Sequence, residues 1–265
     1  MYDLPTLESA LANTIFAGNL HFAPVTDSTN SDAFAAARTG APHGSVWFAD
    51  EQRAGRGRGG NAWRSAAGEG LYVSVLLRLR IPTQRLLLLP LAAGLAAAQA
   101  IRAVAGVDVD LRWPNDLLIG PAKTGGILVE SGSVANPDSS SSTFAVVGIG
   151  INVHQRSFDP GLATPATSLD LAAGGTVGRQ ALLIALLRAI EQEAGALDDP
   201  AAAAAIPARI EAASTWVRGC AVEVHGPQTC SGVTAGLDEH GFLLVDTPTG
   251  PVTVQTGGIR SPGIH

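Results

Sequence analysis

The chain has 265 residues, 46% of them hydrophobic, with a mean hydropathy of +0.23, which is enough apolar material for a sizeable core and excludes a disordered chain. Its net charge of −6 and pI near 5.4 exclude a whole-molecule field that attracts DNA or RNA, so any basic function has to be local. Cys220 and Cys230, the only cysteines, provide neither a disulfide framework nor a zinc pattern and read as reduced thiols.

In chain order, Met1 to Leu20 has no cationic start and no continuous apolar core, so no signal peptide is read there and a cytoplasmic location is expected. Thr6 to Ala12 reads as a lead helix. In VTDSTNSDAFAAARTG, Ser28 or Asn30 can cap a helix carrying Ala33 to Ala37, and Gly40 can end it. SVWFAD (Ser45–Asp50) and LYVSVLLRLR (Leu71–Arg80) favour strands. Leu86 to Ile101 is a long uncharged, mostly apolar run, but Pro90, Gly94 and Gln99 interrupt it and it is shorter than the ~20 residues of a membrane span. It predicts a buried helix and no membrane association. DVDLRW, GGILVES and FAVVGIGINV follow as strands, with NPDSSSST (Asn136–Thr143) as a mobile turn. Gly178 to Leu197 and Pro200 to Ala213 are helical in pattern, and from Cys220 onward short turn-separated strands predict a small β-barrel. The domain boundary falls near Ser214 to Arg218.

Two stretches carry chemistry. GRGRGGNAW, Gly55 to Trp63, holds four glycines and two arginines between two strands. Glycines let backbone N–H groups approach a ligand closely, and arginine presents a fork matched to carboxylate or phosphate oxygens. A solvated loop or an RNA-binding arm is the competing reading. RWPNDLLIGPAKTGGILVE, Arg112 to Glu130, places Asn115 and Asp116 after a proline and sets Lys123, the only lysine in the chain, beside Gly125 and Gly126. That lysine can meet an anion with little steric hindrance; alternatively Asn115 and Asp116 simply turn the chain and Lys123 is solvated.

Taken together, VTDSTN (Val25–Asn30), EQRAGRGRGGNAW (Glu51–Trp63), RWPNDLL with KTGGILVE, and GIGINV (Gly148–Val153) resemble the biotin–protein ligases, in this order and at these spacings. The resemblance implies an α+β fold: a mixed β-sheet with packed helices, similar to class II aminoacyl-tRNA synthetases, over residues 1–215, then an SH3-like barrel over 216–265. It implies that biotin is activated with ATP and Mg²⁺ as biotinyl-5′-AMP and passed to a lysine on the carrier domain of an acyl-CoA carboxylase. By the same resemblance Ser28, Thr29, Asn30 and Gln52 hold the ureido ring. Gly55, Arg56, Gly57 and Arg58 form a lid over biotin's carboxylate and the α-phosphate, and Lys123, with Gly125 and Gly126, touches both anions. Trp63, Asn115, Asp116 and Asn152 lie on the nucleotide side, although Trp63 also reads as a core anchor. Arg58 and Lys123 are the expected catalytic cations, Asp116 is the nearest candidate base for the second step, and no metal ligands are assigned.

Family lids commonly carry a third basic residue where this chain has Asn61, so weaker retention of the intermediate is expected. Four glycines make ordering of the lid entropically costly until anions engage Arg56 and Arg58. The alternatives are a DNA-binding repressor, for which 27 residues before Ser28 are too few, a lipoate or octanoyl transferase of the same fold, and a non-catalytic RNA-binding module. A monomer or weak homodimer without nucleic acid is expected.

Overall fold

A computed structural model describes residues 2–135 and 141–263; the turn expected at Asn136–Thr143 lies largely outside the described residues. The elements run α1 (Leu4–Leu11), β1 (Leu20–Thr26), α2 (Thr29–Arg38), β2 (Val46–Gln52), β3 (Gly70–Leu77), α3 (Thr83–Leu86), α4 (Leu89–Ala105), β4 (Asp110–Arg112), β5 (Asp116–Ile119), β6 (Ala122–Ala135) and β7 (Ser141–Asn152). Then come α5 (Leu169–Ala173), α6 (Arg179–Gly195), α7 (Pro200–Ala204), α8 (Ile206–Ala212), β8 (Arg218–His225), β9 (Cys230–Leu237), β10 (Leu243–Thr247), β11 (Gly250–Val254) and β12 (Gly258–Arg260). Strands β1 to β7 form one mixed sheet, in the order β1-β2-β3-β7-β6-β5-β4; β1 pairs parallel to β2 and every other neighbour is antiparallel. The last five strands form an antiparallel sheet, β11-β10-β9-β8-β12, the arrangement expected of an SH3-like unit.

Strand alternation decides which side of the large sheet becomes core. Leu71, Val73, Val75 and Leu77 of β3, with Ala145, Val147, Ile149 and Ile151 of β7, point into the main cluster under α1, α4, α6 and α8. The intervening Ser74, Gly148, Gly150 and Asn152 therefore face the opposite side, where α2 covers only part of the sheet through Ala33, Ala37, Leu76, Phe144 and Val146. That partly covered face holds the site. The Thr83–Ala105 segment has the length and hydropathy of a membrane span, yet 56% of its most apolar stretch is buried inside the molecule, and it packs between the sheet and α6 as a core helix.

The expected caps are partly realised. Ser28 occupies the N-cap of α2 but its side chain makes no capping hydrogen bond, while Gly40, at φ +98°, closes the other end with Ala41 N donating to Ala36 O. The paired turn read at Asn115–Asp116 is shorter than expected, because Asp116 already pairs with Arg112 as the first residue of β5. The two sheets share one hydrophobic cluster, to which Val222, Val224, Leu243, Val245 and Ile259 contribute from the C-terminal strands. Trp113 Nε1 donates to Gly241 O at 3.0 Å and Leu237 N to Glu211 Oε1 at 2.9 Å, tying them further.

Candidate active site

The site is built on β6 and β7, where Gly126 pairs with Gly150 and Leu128 with Gly148. These glycines leave a flat floor. Trp63 lies on it: a Cβ on Gly150 would come within 2.5 Å of the indole Nε1, so only glycine admits the ring. The indole is also covered from the side, since Lys123 Nζ sits 5.4 Å from the ring centroid, and Nε1 is a buried donor with no partner among the described residues. Trp63 thus sits over the glycine floor, outside the main hydrophobic cluster.

Lys123 reaches this floor because of a bulge. Leu117 pairs with Gly125 and Leu118 with Lys123, so Thr124 is an extra residue in β6, and such insertions re-aim neighbouring side chains. Lys123 Nζ meets Asp116 Oδ1 at 2.5 Å. The same carboxylate accepts from Arg112 Nη2 at 2.6 Å, and Arg112 in turn donates to Thr164 Oγ1 and lies 5.3 Å from the Trp216 ring. Burial raises the carboxyl pKa of Asp116, but Lys123 and Arg112 outweigh it and hold the group below the usual carboxylate range. The expectation that Asp116 serves as a base is therefore corrected: a carboxylate neutralised by two cations is a poor proton acceptor.

This pair also sets an acid limit. A depressed folded-state pKa stabilises the fold above the unfolded value, near 3.9, and the contribution is lost as pH falls through the folded value. Asp116→Asn is expected to flatten the loss of stability below about pH 4. At neutral pH it should cost about 3–5 kcal/mol by leaving the buried Arg112 cation unpaired. Denaturant melts across pH 3–7 decide this, and an unchanged acid limb would rule it out.

Thr29, Asn30 and Gln52 come together beneath the lid. Thr29 N donates to Gln52 Oε1 at 2.9 Å, Thr29 Oγ1 lies 2.8 Å from Ser74 Oγ, and Ser74 donates to Asn30 Oδ1 at 2.7 Å. Gly148 makes room for Asn30, whose Oδ1 would meet a Cβ there at 2.1 Å. Ser28 is buried beside them. Glu130, Ser65 and Ser74 belong to this cluster but carried no sequence signal, because a serine in an apolar strand or a glutamate ending GGILVE is common on any sheet.

The lid itself is a hairpin. Trp63 N donates to Gly55 O at 2.8 Å, Gly57 N to Asn61 O at 2.7 Å, and Arg56 bridges to Ala62. Asn61 has a structural use, since its Nδ2 donates to Arg58 O at 2.8 Å across the turn. Arg56 makes a two-point contact with Glu130, at 3.1 and 2.5 Å, and Arg58 donates to Gly257 O and, at 3.0 Å, to Thr256 Oγ1. Both arginines therefore engage the protein's own groups, Arg56 on Glu130 and Arg58 on the Thr256–Gly257 segment. Burial lowers the Arg58 pKa while nearby Asp116 raises it, and guanidinium stays charged regardless.

The remaining candidates stand at the margins of this arrangement. Asn115 Nδ2 donates to Ile127 O at 2.8 Å and braces β6. Asn152 Nδ2 donates to Thr167 O at 3.0 Å while its Oδ1 accepts from Gln155. This holds the segment whose Pro165 and Thr167 backbones bracket Lys123. Gly125 pairs with Ile151 next to the floor. Among the described residues no group of three or more His, Cys, Asp or Glu side chains could hold a metal ion.

Comparison with known proteins places the whole chain. Residues 22–152 match the model of the biotin/lipoate A/B protein ligase family. The chain is 35% identical over 255 residues to the bifunctional ligase/repressor BirA of Bacillus spizizenii, covering 94% of this chain and 76% of that one. It is 36% identical over 245 residues to a biotin–[acetyl-CoA-carboxylase] ligase of Mycobacterium tuberculosis, covering 88% and 85%. The structure of the biotin protein ligase from Aquifex aeolicus in complex with biotin and ATP superposes with a TM-score of 0.76 at 28% identity, covering 92% of this chain and 98% of that one. With the lysine, lid and glycine floor in place and relatives of this identity matched over most of their length, the chain belongs to the biotin/lipoate A/B protein ligase family, as a biotin–protein ligase.

Proposed function

We propose that this enzyme joins biotin to ATP as biotinyl-5′-AMP and then transfers the biotinyl group to a lysine on the carrier domain of an acyl-CoA carboxylase. The observation that supports this most directly is the convergence of Lys123 and Trp63 over the Gly126–Gly150 pair, beside the polar Thr29–Asn30–Gln52 cluster. A neutral urea needs several oriented donors and acceptors, which that cluster offers; a saturated acyl chain or a dithiolane would leave it unpaired.

In the first step the biotin carboxylate attacks the α-phosphorus and pyrophosphate leaves. Lys123 and Arg58 offset the repulsion between these anions and the charge that develops between them. Mg²⁺ accompanying the nucleotide would supply further positive charge at the phosphates; among the described residues no group of three or more His, Cys, Asp or Glu side chains could hold it. The lid, Gly55 to Trp63 and so including Gly57, then keeps water from the mixed anhydride, with Ser28 beside the Thr29–Asn30–Gln52 cluster and Asn115, Asp116 and Asn152 on the nucleotide side. In the second step the carrier amine attacks the acyl carbon and AMP departs.

We assign catalysis to residues 1–215 and an accessory role to 216–265, whose Thr256 and Gly257 meet the lid. Cys220 and Cys230 are both free, in keeping with a reducing compartment such as the cytoplasm, and we take the enzyme to act there as a monomer or weak homodimer. The test is isotope exchange between pyrophosphate and ATP. Exchange is expected with biotin and not with lipoate or octanoate, and exchange driven equally by octanoate would reject the reading.

A further inference from the structure

Seven side chains, Arg56 through Ser65, link the lid to the pocket in one path. Arg56, at the start of the lid, binds Glu130; Glu130 Oε2 also accepts from Asn30 Nδ2 at 2.8 Å. Asn30 Oδ1 accepts from Ser74, and Ser74 Oγ contacts Thr29 Oγ1. Thr29 N donates to Gln52 Oε1, Gln52 Nε2 to Ser65 Oγ at 2.7 Å, and Ser65 Oγ to Trp63 O at 3.2 Å. The path begins at one end of the lid and returns to the other.

At the Arg56 end its direction is set at Glu130. A carboxylate only accepts, so Asn30 must turn its NH₂ to Glu130 and its carbonyl to Ser74. Ser74 then spends its single proton on Asn30, and the Thr29 hydroxyl, 2.8 Å from Ser74 Oγ and 3.1 Å from Gln52 Oε1, has one proton for these two acceptors. Gln52 is oriented from the other end: its carbonyl accepts the Thr29 backbone N–H and its NH₂ points at Ser65. Glu130 thus orients the Asn30 amide, the Thr29 backbone N–H orients the Gln52 amide, and the two halves meet at the Thr29 hydroxyl. The pattern of donors and acceptors left over for a ligand follows from both.

We propose that Glu130 is a positioning residue that couples the Thr29–Asn30–Gln52 pocket to the Gly55–Trp63 lid by holding Asn30 and Arg56 on one carboxylate. This rests on the assignment of biotin as the ligand of that pocket. Glutamine at 130 has the same shape but can donate as well as accept, so Asn30 is free to flip and the two-point hold on Arg56 is lost.

The test uses the full chain with biotin as the probe. Trypsin cuts after Arg56 and Arg58, which reports lid opening directly, and titration calorimetry gives biotin affinity. In Glu130→Gln, lid cleavage and the biotin Kd are expected to rise by about tenfold or more, the scale for losing a charge-assisted hydrogen bond. The KM for ATP should stay within about twofold. Ser74→Ala, which lies on β3 and touches no lid residue directly, is expected to raise lid cleavage too, because it breaks the path in its middle. Either variant alone decides the matter if the other fails to fold. Native cleavage and native biotin affinity in a folded variant would overturn the coupling. A wild-type protein that gains no protection from biotin would instead overturn the ligand assignment.

Discussion

Lys123→Ala is expected to lower biotinyl-5′-AMP synthesis by about 10²–10³-fold, the usual consequence of removing one group that stabilises transition-state charge. No other lysine exists in the chain to substitute for it, and the bulge at Thr124 aims it at the floor beneath Trp63. The fold should survive. Asp116 keeps its contacts to Arg112 at 3.2 and 2.6 Å, so no charge is left unpaired, and a loss near 1 kcal/mol corresponds to about 2–4 °C in Tm for a chain of this size. Single-turnover synthesis with a thermal melt of the same sample separates the two effects. Lys123→Arg keeps the charge but replaces a compact ammonium by a planar fork, and partial activity is expected. Native rates of adenylate formation in Lys123→Ala would remove the residue from the mechanism.

Arg58→Ala is expected to speed the escape of biotinyl-5′-AMP by about 10–150-fold, the factor given by losing a hydrogen bond to a charged group worth ~1.5–3 kcal/mol. Arg58 is the lid residue that reaches the second sheet, through Gly257 O and Thr256 Oγ1, and its positive charge lies within reach of Asp116. Removing it frees the lid from that sheet and takes a cation from the anhydride at once. Thr256→Ala separates these contributions, since it weakens the anchor without touching the ligand; release should rise only about 2–10-fold, the scale of one neutral hydrogen bond. The measurement is a chase of preformed labelled intermediate against excess unlabelled biotin and ATP. Equal release from Arg58→Ala and the native protein would show that the arginine does not clamp.

Much of this was legible one segment at a time. The Leu86–Ile101 run was read as a buried helix from its breaks and length, and α4 follows it closely because apolar periodicity is a local property. Lys123 beside Gly125 and Gly126, and Trp63 at the end of a glycine-rich hairpin, stood out because a lone lysine and paired glycines are rare enough to notice. β1, LHFAPVT, carries no strand reading in the sequence, and neither do the short strands β5 and β12. The latter two are four and three residues long, too brief to show a period, and they exist because neighbours offer hydrogen bonds.

The sequence by itself determined most of the longer strands and helices, the lid between β2 and β3, and the chemistry available there: one lysine, two arginines and a cluster of small polar residues. Each of these depends on residue type and spacing along the chain. Only the tertiary structure decided what those groups hold. Asp116 lost its standing as a base because β4 and the bulged β6 bring Arg112 and Lys123 onto one carboxylate. Glu130 entered the site because β6 lies beneath both α2 and the lid, which sets Asn30 and Arg56, 26 positions apart in sequence, on its two oxygens. Contacts of this kind join residues distant along the chain, and their strength comes from burial and geometry that local sequence does not encode.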